Sequence, residues 1–518
     1  MNKIRNWIVA GMMAAFLGLC SCHPTATERE PSQPLLHFSA GRNWTGEPSG
    51  AVYYAGEYHL FYQHNPSDAV LGNIGWGHAV SRDLIRWEER PVAISPDASG
   101  QIYSGSVVAD LRNTSGFGTE GTPPLIAYFT YQRAEAASDR PVYMAYSLDK
   151  GLTWTKRETP VLTDRESPKF YNPSVSWNES LGQWLMTVSS GSTIRFYAST
   201  DCLRWSYLST FGEGLFSGDN WESSSFFPLK AVETEQTKWV LTVTMNGGPA
   251  DGAAGIRYFV GDFDGTAFKI SQTQELWTDY GKDNCAGILV NNAPGANPVL
   301  LGWMNSWDYA NLLPTEGWRG NLTIPRSLVL KPEGRYYLLT SEPAETLDHY
   351  IRNTYALEDK IQFTGEKKIF ADRPFPAGPF RLKLFFDNTN RRAIWCARDY
   401  GVRFVTASGK RISIGYNAEL NSFYIDRSRL RKKSFSEYFD QQVGATYTYN
   451  APAADWEILV DRNSVELFAC GGRVALTALC FAEEPFETFE LYSDTGSTSL
   501  LEGSLSELGF LMAGEVRD

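Results

Sequence analysis

The chain has 518 residues, enough for two domains with separate cores. Hydrophobic residues make up 43% and charged residues 20%, the balance of an ordinary globular protein. The formal net charge of -12 excludes nucleic acid or an anionic membrane as the main partner, because both demand a basic face. The one basic cluster, Arg427 to Lys433, is short and reads as a solvated strand end.

The first element is a targeting segment. Lys3 and Arg5 give a positive start, and Trp7 to Leu19 is apolar but too short to span a bilayer stably. The segment ends Leu19, Cys20, Ser21, Cys22, which resembles a lipobox. The small Ser21 before Cys22 places the lipidated residue at Cys22, since Leu19 is too large to play that part before Cys20. An ordinary cleaved signal peptide is the alternative. Residues 1–22 are thus expected to be a lipoprotein leader and residues 23–35 a polar tether. The expected location is periplasmic or at the cell surface, with membrane contact only through the lipid.

Residues 36–340 carry little helical periodicity. Short apolar or alternating runs such as Tyr58 to Tyr62, Trp239 to Val243 and Val299 to Trp303 are separated by Gly, Asn, Asp and Pro, the pattern of many short strands. A turn recurs: Ser81, Asp83 and Trp87 are followed by Ser147, Asp149 and Trp154, then by Ser199, Asp201 and Trp205. A degenerate fourth copy ends at Phe268. The spacing suits one four-stranded blade per copy, with Asp making the turn and the aromatic anchoring the next strand. The length predicts a five-bladed β-propeller. From about 350 to 515 the repeat disappears and alternating strands such as Arg381 to Phe386 predict a β-sandwich. The fold class is therefore all-β.

Chemistry-bearing residues are few in kind. Six His and seven Cys with no C-x-x-C argue against a metal site, and the scattered Cys202, Cys285, Cys396, Cys470 and Cys480 read as buried thiols. The 16 Trp suit either a large β core or stacking on sugar rings. Glu47 and Glu222 each lie in a turn-rich stretch beside a Trp. A carboxylate pair about 5 to 5.5 Å apart serves double-displacement glycoside hydrolysis. Unaided, the pairing is a weak signal, because a chain this rich in acids offers many pairs, and two surface carboxylates are the favoured reading of Glu47 and Glu222.

The ordered motifs decide between these. His37 to Trp44, Tyr58 to Pro66, Trp76 to Asp83, Ser104 to Ser106, Asn113 to Phe117, Trp221 with Glu222, Tyr258 to Gly265, Asp279 to Asp283 and Gly302 to Asn311 resemble glycoside hydrolase family 32. In the second domain Tyr424 to Ser428 and Asp461 to Phe468 do so as well. The resemblance covers nearly all of residues 36–512 and implies a five-bladed propeller, a C-terminal sandwich, a retaining mechanism on β-fructosides, and neither metal nor cofactor. It implies Glu222 as acid/base, Glu47 at the nucleophile position and Asn172 at the transition-state stabiliser. It also implies sugar contacts from Gln63, Trp76, Ser106 and Asp283, and from Trp303 in a matched strand, for which blade packing is the alternative.

Three departures stand out. The family pattern W-M-N-D-P-N-G reads Trp44, Thr45, Gly46, Glu47, Pro48, Ser49, Gly50, so Glu replaces Asp. R-D-P reads Tyr171, Asn172, Pro173, so both the Arg and the Asp are replaced. W-E-C-P reads Trp221, Glu222, Ser223, Ser224. Three readings follow: a β-fructosidase working through Glu47, a fructan-binding lipoprotein without turnover, or a related enzyme with changed sugar specificity or a transferase bias. The expected partner is a fructan or fructosyl oligosaccharide.

Overall fold

A computed structural model describes residues 30–119, 121–132, 140–163, 170–215, 220–369, 374–389, 396–444 and 450–510. Cys22 and the leader lie outside the described residues, as does most of the tether. Among the described residues the only helical elements are two short 3-10 segments, Ala310–Leu312 and Glu345–Tyr350.

Five four-stranded antiparallel units follow one another. Blade 1 is Asn43–Tyr54, Glu57–Asn65, Gly75–Ser81 and Trp87–Ile94. Blade 2 is Gln101–Ala109, Leu125–Gln132, Val142–Ser147 and Thr155–Lys156. Blade 3 is Phe170–Asn178, Gln183–Ser190, Thr193–Ser199 and Ser206–Phe211. Blade 4 is Trp221–Lys230, Thr237–Met245, Gly255–Phe263 and Phe268–Ile270. Blade 5 is Cys285–Asn291, Val299–Met304, Arg326–Glu333 and Tyr336–Pro343. The first strands of blades 1 and 5 pair in parallel through Ala51 with Val290 and Val52 with Asn291, which closes the ring. Close approach of the inner strands needs small residues: a Cβ on Gly50 would lie 2.6 Å from the Val107 side chain of blade 2.

The recurrent turn joins the third and fourth strands of a blade. Ser81 donates to Asp83, whose carboxylate accepts from the Ile85 and Arg86 amides, and the Trp87 indole donates to the Leu84 carbonyl. Asp149 and Asp201 repeat the arrangement, and Asp264 caps the degenerate copy through the Thr266 and Ala267 amides. Blade 5 has no copy, because only Gly334 and Arg335 separate its third and fourth strands.

The second domain is built around one long strand, Phe486–Leu508. Its first part pairs with Asp399–Thr406 and its last part with Phe380–Asp387, so it belongs to both layers. Phe386, Tyr400, Tyr416, Phe423 and Trp456 fill the space between them.

A buried ionic seam joins the domains. Arg326 bridges Asp279 and Glu466, each at 2.6 Å, and His37 lies between Asp461 and Glu466 at 2.9 and 2.8 Å. Two expectations are corrected here. Arg427 is fully buried rather than solvated, 2.7 Å from Asp283. Asp283 is not a sugar contact: its carboxylate accepts from Arg427, Tyr309 and the Leu479 amide and has no exposure. A motif match located the residue, but its acceptor capacity is spent on Tyr309 of the propeller and on Arg427 and Leu479 of the other domain.

Candidate active site

Each of the five inner strands is irregular near its start. In blade 1 the pairing slips by one residue between Thr45 and Pro48 and again between Pro48 and Gly50. Blade 2 slips between Ile102 and Gly105, blade 3 opposite Thr187 to Ser189, blade 4 between Trp221 and Ser224, and blade 5 between Cys285 and Ile288. A bulge puts an extra residue in one strand and re-aims its side chain. Here the bulges hold Glu47, Ser104, Asn172 and Glu222, all at one mouth of the propeller. Asn172 takes a left-handed backbone (φ 54°), which an Asn tolerates better than most residues.

Glu47 is buried at 5% exposure and is held from three sides. Ser104 donates to its Oε2 at 2.8 Å and Gln63 at 3.2 Å, and the Trp307 indole also donates to the carboxyl. Gln63 in turn donates to Ser104 at 2.6 Å. The neighbouring Gly46 explains how the chain passes: a Cβ there would stand 2.8 Å from both Gln63 Cβ and Trp44 Nε1. Two bulges and a glycine thus set the backbone under Glu47.

Burial, then the charge of Glu222, pushes the Glu47 carboxyl up to about 7, while the hydrogen bonds from Ser104 and Trp307 pull it down. Burial also raises Glu222, and the nearby Arg140 guanidinium pulls it back. Two interacting acids largely shielded from water titrate as a pair and keep a proton to higher pH than isolated glutamates. That is the condition for one to attack while the other donates a proton.

The replaced positions touch one another. Asn172 Nδ2 stands 3.5 Å from Ser223 Oγ, and Ser224 Oγ shares a hydrogen bond of 2.9 Å with Thr187. Tyr171 is buried, and the Arg140 guanidinium lies 5.2 Å from its ring centre. Arg140 comes from blade 2, in the connection that precedes Val142–Ser147, and Tyr171 from blade 3.

The other expected contacts divide. Gln63 is at the site, but it serves the Glu47 carboxyl. Ser106 sits deeper, accepting from the Val175 amide and lining an axial cavity of about 170 Å³ beneath the mouth. Trp76 has no exposure and donates to the Tyr103 carbonyl at 3.0 Å, between Phe61 and Phe129, so it does not wall the pocket. Trp303 is likewise buried, donating to the Thr45 carbonyl at 3.1 Å in the segment that carries Glu47. These two are corrected from sugar contacts to supports, because both rings are wholly buried and their indole N–H groups are spent on backbone carbonyls. Trp307, four residues on, was not singled out. It is 41% exposed, with its ring packed on Trp44 and Trp303. Among the described residues no group of three His, Cys, Asp or Glu is placed to hold a metal ion.

Comparison with known proteins converges on this geometry. The model of the glycosyl hydrolases family 32 N-terminal domain matches residues 37–343, and that of the family 32 C-terminal domain matches residues 397–507. The chain belongs to glycosyl hydrolase family 32. A levanase of Bacillus subtilis is 35% identical over 481 residues, 91% of this chain and 69% of its own. An extracellular exo-inulinase of Aspergillus awamori is 32% identical over 506 residues, 90% of this chain and 93% of its own. The crystal structure of exo-inulinase from Aspergillus awamori superposes with a TM-score of 0.84 at 30% identity, covering 92% of this chain and 98% of that one. A fructofuranosidase of Schwanniomyces occidentalis complexed with fructosylnystose gives a TM-score of 0.83 at 27% identity, covering 92% of this chain and 98% of that one. As a family 32 member the chain is a glycoside hydrolase of propeller-plus-sandwich build.

Proposed function

We propose that the protein hydrolyses terminal β-fructosides of fructans or fructosyl oligosaccharides by double displacement, with Glu47 as nucleophile and Glu222 as acid/base. The observation that carries this reading is the buried Glu47 carboxyl at the propeller mouth, raised by the charge of the half-buried Glu222 beside it. The named relatives, a levanase and exo-inulinases, support the substrate class.

In the first step a Glu47 oxygen bonds to the anomeric carbon. The glycosidic C–O bond breaks, and Glu222 gives its proton to the leaving oxygen. In the second, Glu222 takes a proton from water, whose oxygen displaces Glu47 from the anomeric carbon. Ser104, Gln63 and Trp307 orient the Glu47 carboxylate and favour its ionised form. Asn172 presents an amide to the sugar and adds no negative charge, so the site stabilises an oxocarbenium-like transition state less than a third carboxylate would. A buried Glu47 oriented in this way beside a half-buried Glu222 of raised pKa favours turnover over binding alone.

The test is Glu47→Gln. Release of fructose from levan and inulin should fall to background, because an amide cannot form the glycosyl ester, while calorimetric binding of an oligosaccharide persists. Measurable wild-type turnover that survives Glu47→Gln overturns the assignment.

We also infer that Cys22 carries lipid and holds the enzyme at a membrane, periplasmic or at the cell surface. The support is the sequence Leu19, Cys20, Ser21, Cys22 after an apolar stretch. Labelling with a tagged fatty acid should be lost in Cys22→Ala and kept in Cys20→Ala, and the reverse result overturns the assignment.

A further inference from the structure

Among the described residues Arg140 is the one cation whose charge reaches several groups of the mouth at once. Its guanidinium lies over the Tyr171 ring at 5.2 Å and interacts electrostatically with Glu222 and Tyr103. Yet it is poorly satisfied. Its Nε is buried with no hydrogen-bond partner, and among the described residues no carboxylate lies in ion-pair contact with it. A guanidinium offers five N–H donors in a planar fork, and leaving such donors buried and unpaired is costly. The difference from structural arginines lies in the carboxylate: Arg326, whose Nε is likewise unpaired, and Arg427 each meet one at 2.6 to 2.7 Å. Arg140 is held by a ring face instead, which fixes its plane without consuming its donors.

We propose that Arg140 is a substrate-binding, specificity-determining residue, whose fork donates to adjacent hydroxyls of the fructosyl ring at the blade 2–blade 3 side of the pocket. This rests on reading the mouth as a β-fructoside site. Tyr171 is the platform: its ring sets the height of the guanidinium, and its place on the strand beside Asn172 puts that height next to the reacting centre. The ligand class is a neutral polyol ring with vicinal hydroxyls, for which a bidentate fork discriminates better than an ammonium.

The experiment compares Arg140→Ala, Arg140→Lys and Arg140→Ala/Tyr171→Arg with the wild type on inulin-type oligosaccharides. Steady-state kinetics are combined with calorimetric binding in a Glu222→Gln background. Arg140→Ala should weaken KM and Kd by about ten- to a hundredfold, the range for hydrogen bonds from a charged donor. Arg140→Lys should restore little of this, because it keeps the charge and loses the fork. Tyr171→Arg in the Arg140→Ala protein should recover part of it, by supplying a guanidinium from blade 3. The thermal midpoint serves as the folding control. If Arg140→Ala shifts only the pH profile, through Glu222, and leaves KM and Kd unchanged, the proposal is overturned. Full activity in Arg140→Lys overturns it as well. Wild-type turnover judges the β-fructosidase reading separately: a wild type that binds but does not hydrolyse defeats that reading and leaves Arg140 to be judged by Kd. Absence of both binding and turnover defeats the two together.

Discussion

His37 and Asp461 stand 424 positions apart in the chain and meet at 2.9 Å, His Nδ1 to carboxylate, inside the seam between propeller and sandwich. The opposite ring nitrogen meets Glu466 at 2.8 Å. The same Asp461 carboxylate also accepts from the Leu35, Leu36 and His37 amides, so it pins the start of the propeller chain to the second domain.

That contact predicts a pH-dependent stability. Burial alone would lower His37, but the hydrogen bonds and charges of Asp461 and Glu466 dominate together and raise it to about 9. A raised folded-state pKa contributes stability that is complete below the unfolded value near 6.5 and is lost as pH rises through 9. The contribution is roughly 3 kcal/mol at its full extent. Asp461 is held down to about 2 despite its burial, so its share is present above about 4 and is lost as pH falls towards 2. Denaturant unfolding should therefore show declining stability between pH 6.5 and 9, and His37→Ala should flatten that slope. An unchanged slope in the variant would remove His37 as its cause.

Asp283 belongs to the same seam, and its prediction separates structure from catalysis. Asp283→Asn leaves Arg427 buried without its counter-charge, which is expected to cost about 3 to 5 kcal/mol. The thermal midpoint should fall by several degrees, while KM for an oligosaccharide stays within about twofold at temperatures where the variant is folded. A large KM change with an unchanged midpoint would return Asp283 to the sugar site.

How much of this was legible in the sequence depends on where each signal is stored. The Ser–Asp–Trp turn is local, since Ser81, Asp83 and Trp87 bond among themselves and with the backbone between them, and it marked the blades. Blade 5 has a two-residue turn with no room for that network, and it had to be inferred from length. Glu47 and Glu222 were visible as motif positions. Arg140 carried no local mark, because its partner Tyr171 belongs to the next blade. Trp76 and Trp303 were misjudged because a motif records position in the strand, not which side of the blade the ring faces. Trp307 was findable as the Trp after the matched blade 5 strand, in the connection that reaches the mouth.

Ser104 should tune the nucleophile. It donates to Glu47 and so favours the charged carboxylate. Ser104→Ala removes that donor, so the Glu47 pKa rises further and the acidic limb of kcat/KM moves to higher pH. The profile on an oligosaccharide should shift upward, with the loss of rate greatest below pH 7. A profile that keeps its limb and only scales down would show that Ser104 acts by packing.

Asn172 provides the sharpest test of how this site differs from its relatives. An Asp fits the same left-handed backbone as readily as an Asn, so Asn172→Asp should fold normally. The new carboxylate stands beside Ser223 and near the Glu47–Glu222 pair, with two consequences of opposite sign. Its negative charge stabilises the oxocarbenium-like transition state, which should raise kcat about tenfold, equivalent to roughly 1.4 kcal/mol. The same charge makes it harder to ionise Glu47, which burial and Glu222 already push up to about 7, so the acidic limb must move higher. The variant should therefore be faster than the wild type above about pH 8 and slower below about pH 6, with the two profiles crossing between. A gain at every pH would mean that Glu47 does not control the acidic limb. A loss at every pH would mean that the amide of Asn172, as a hydrogen-bond donor, is what this site requires.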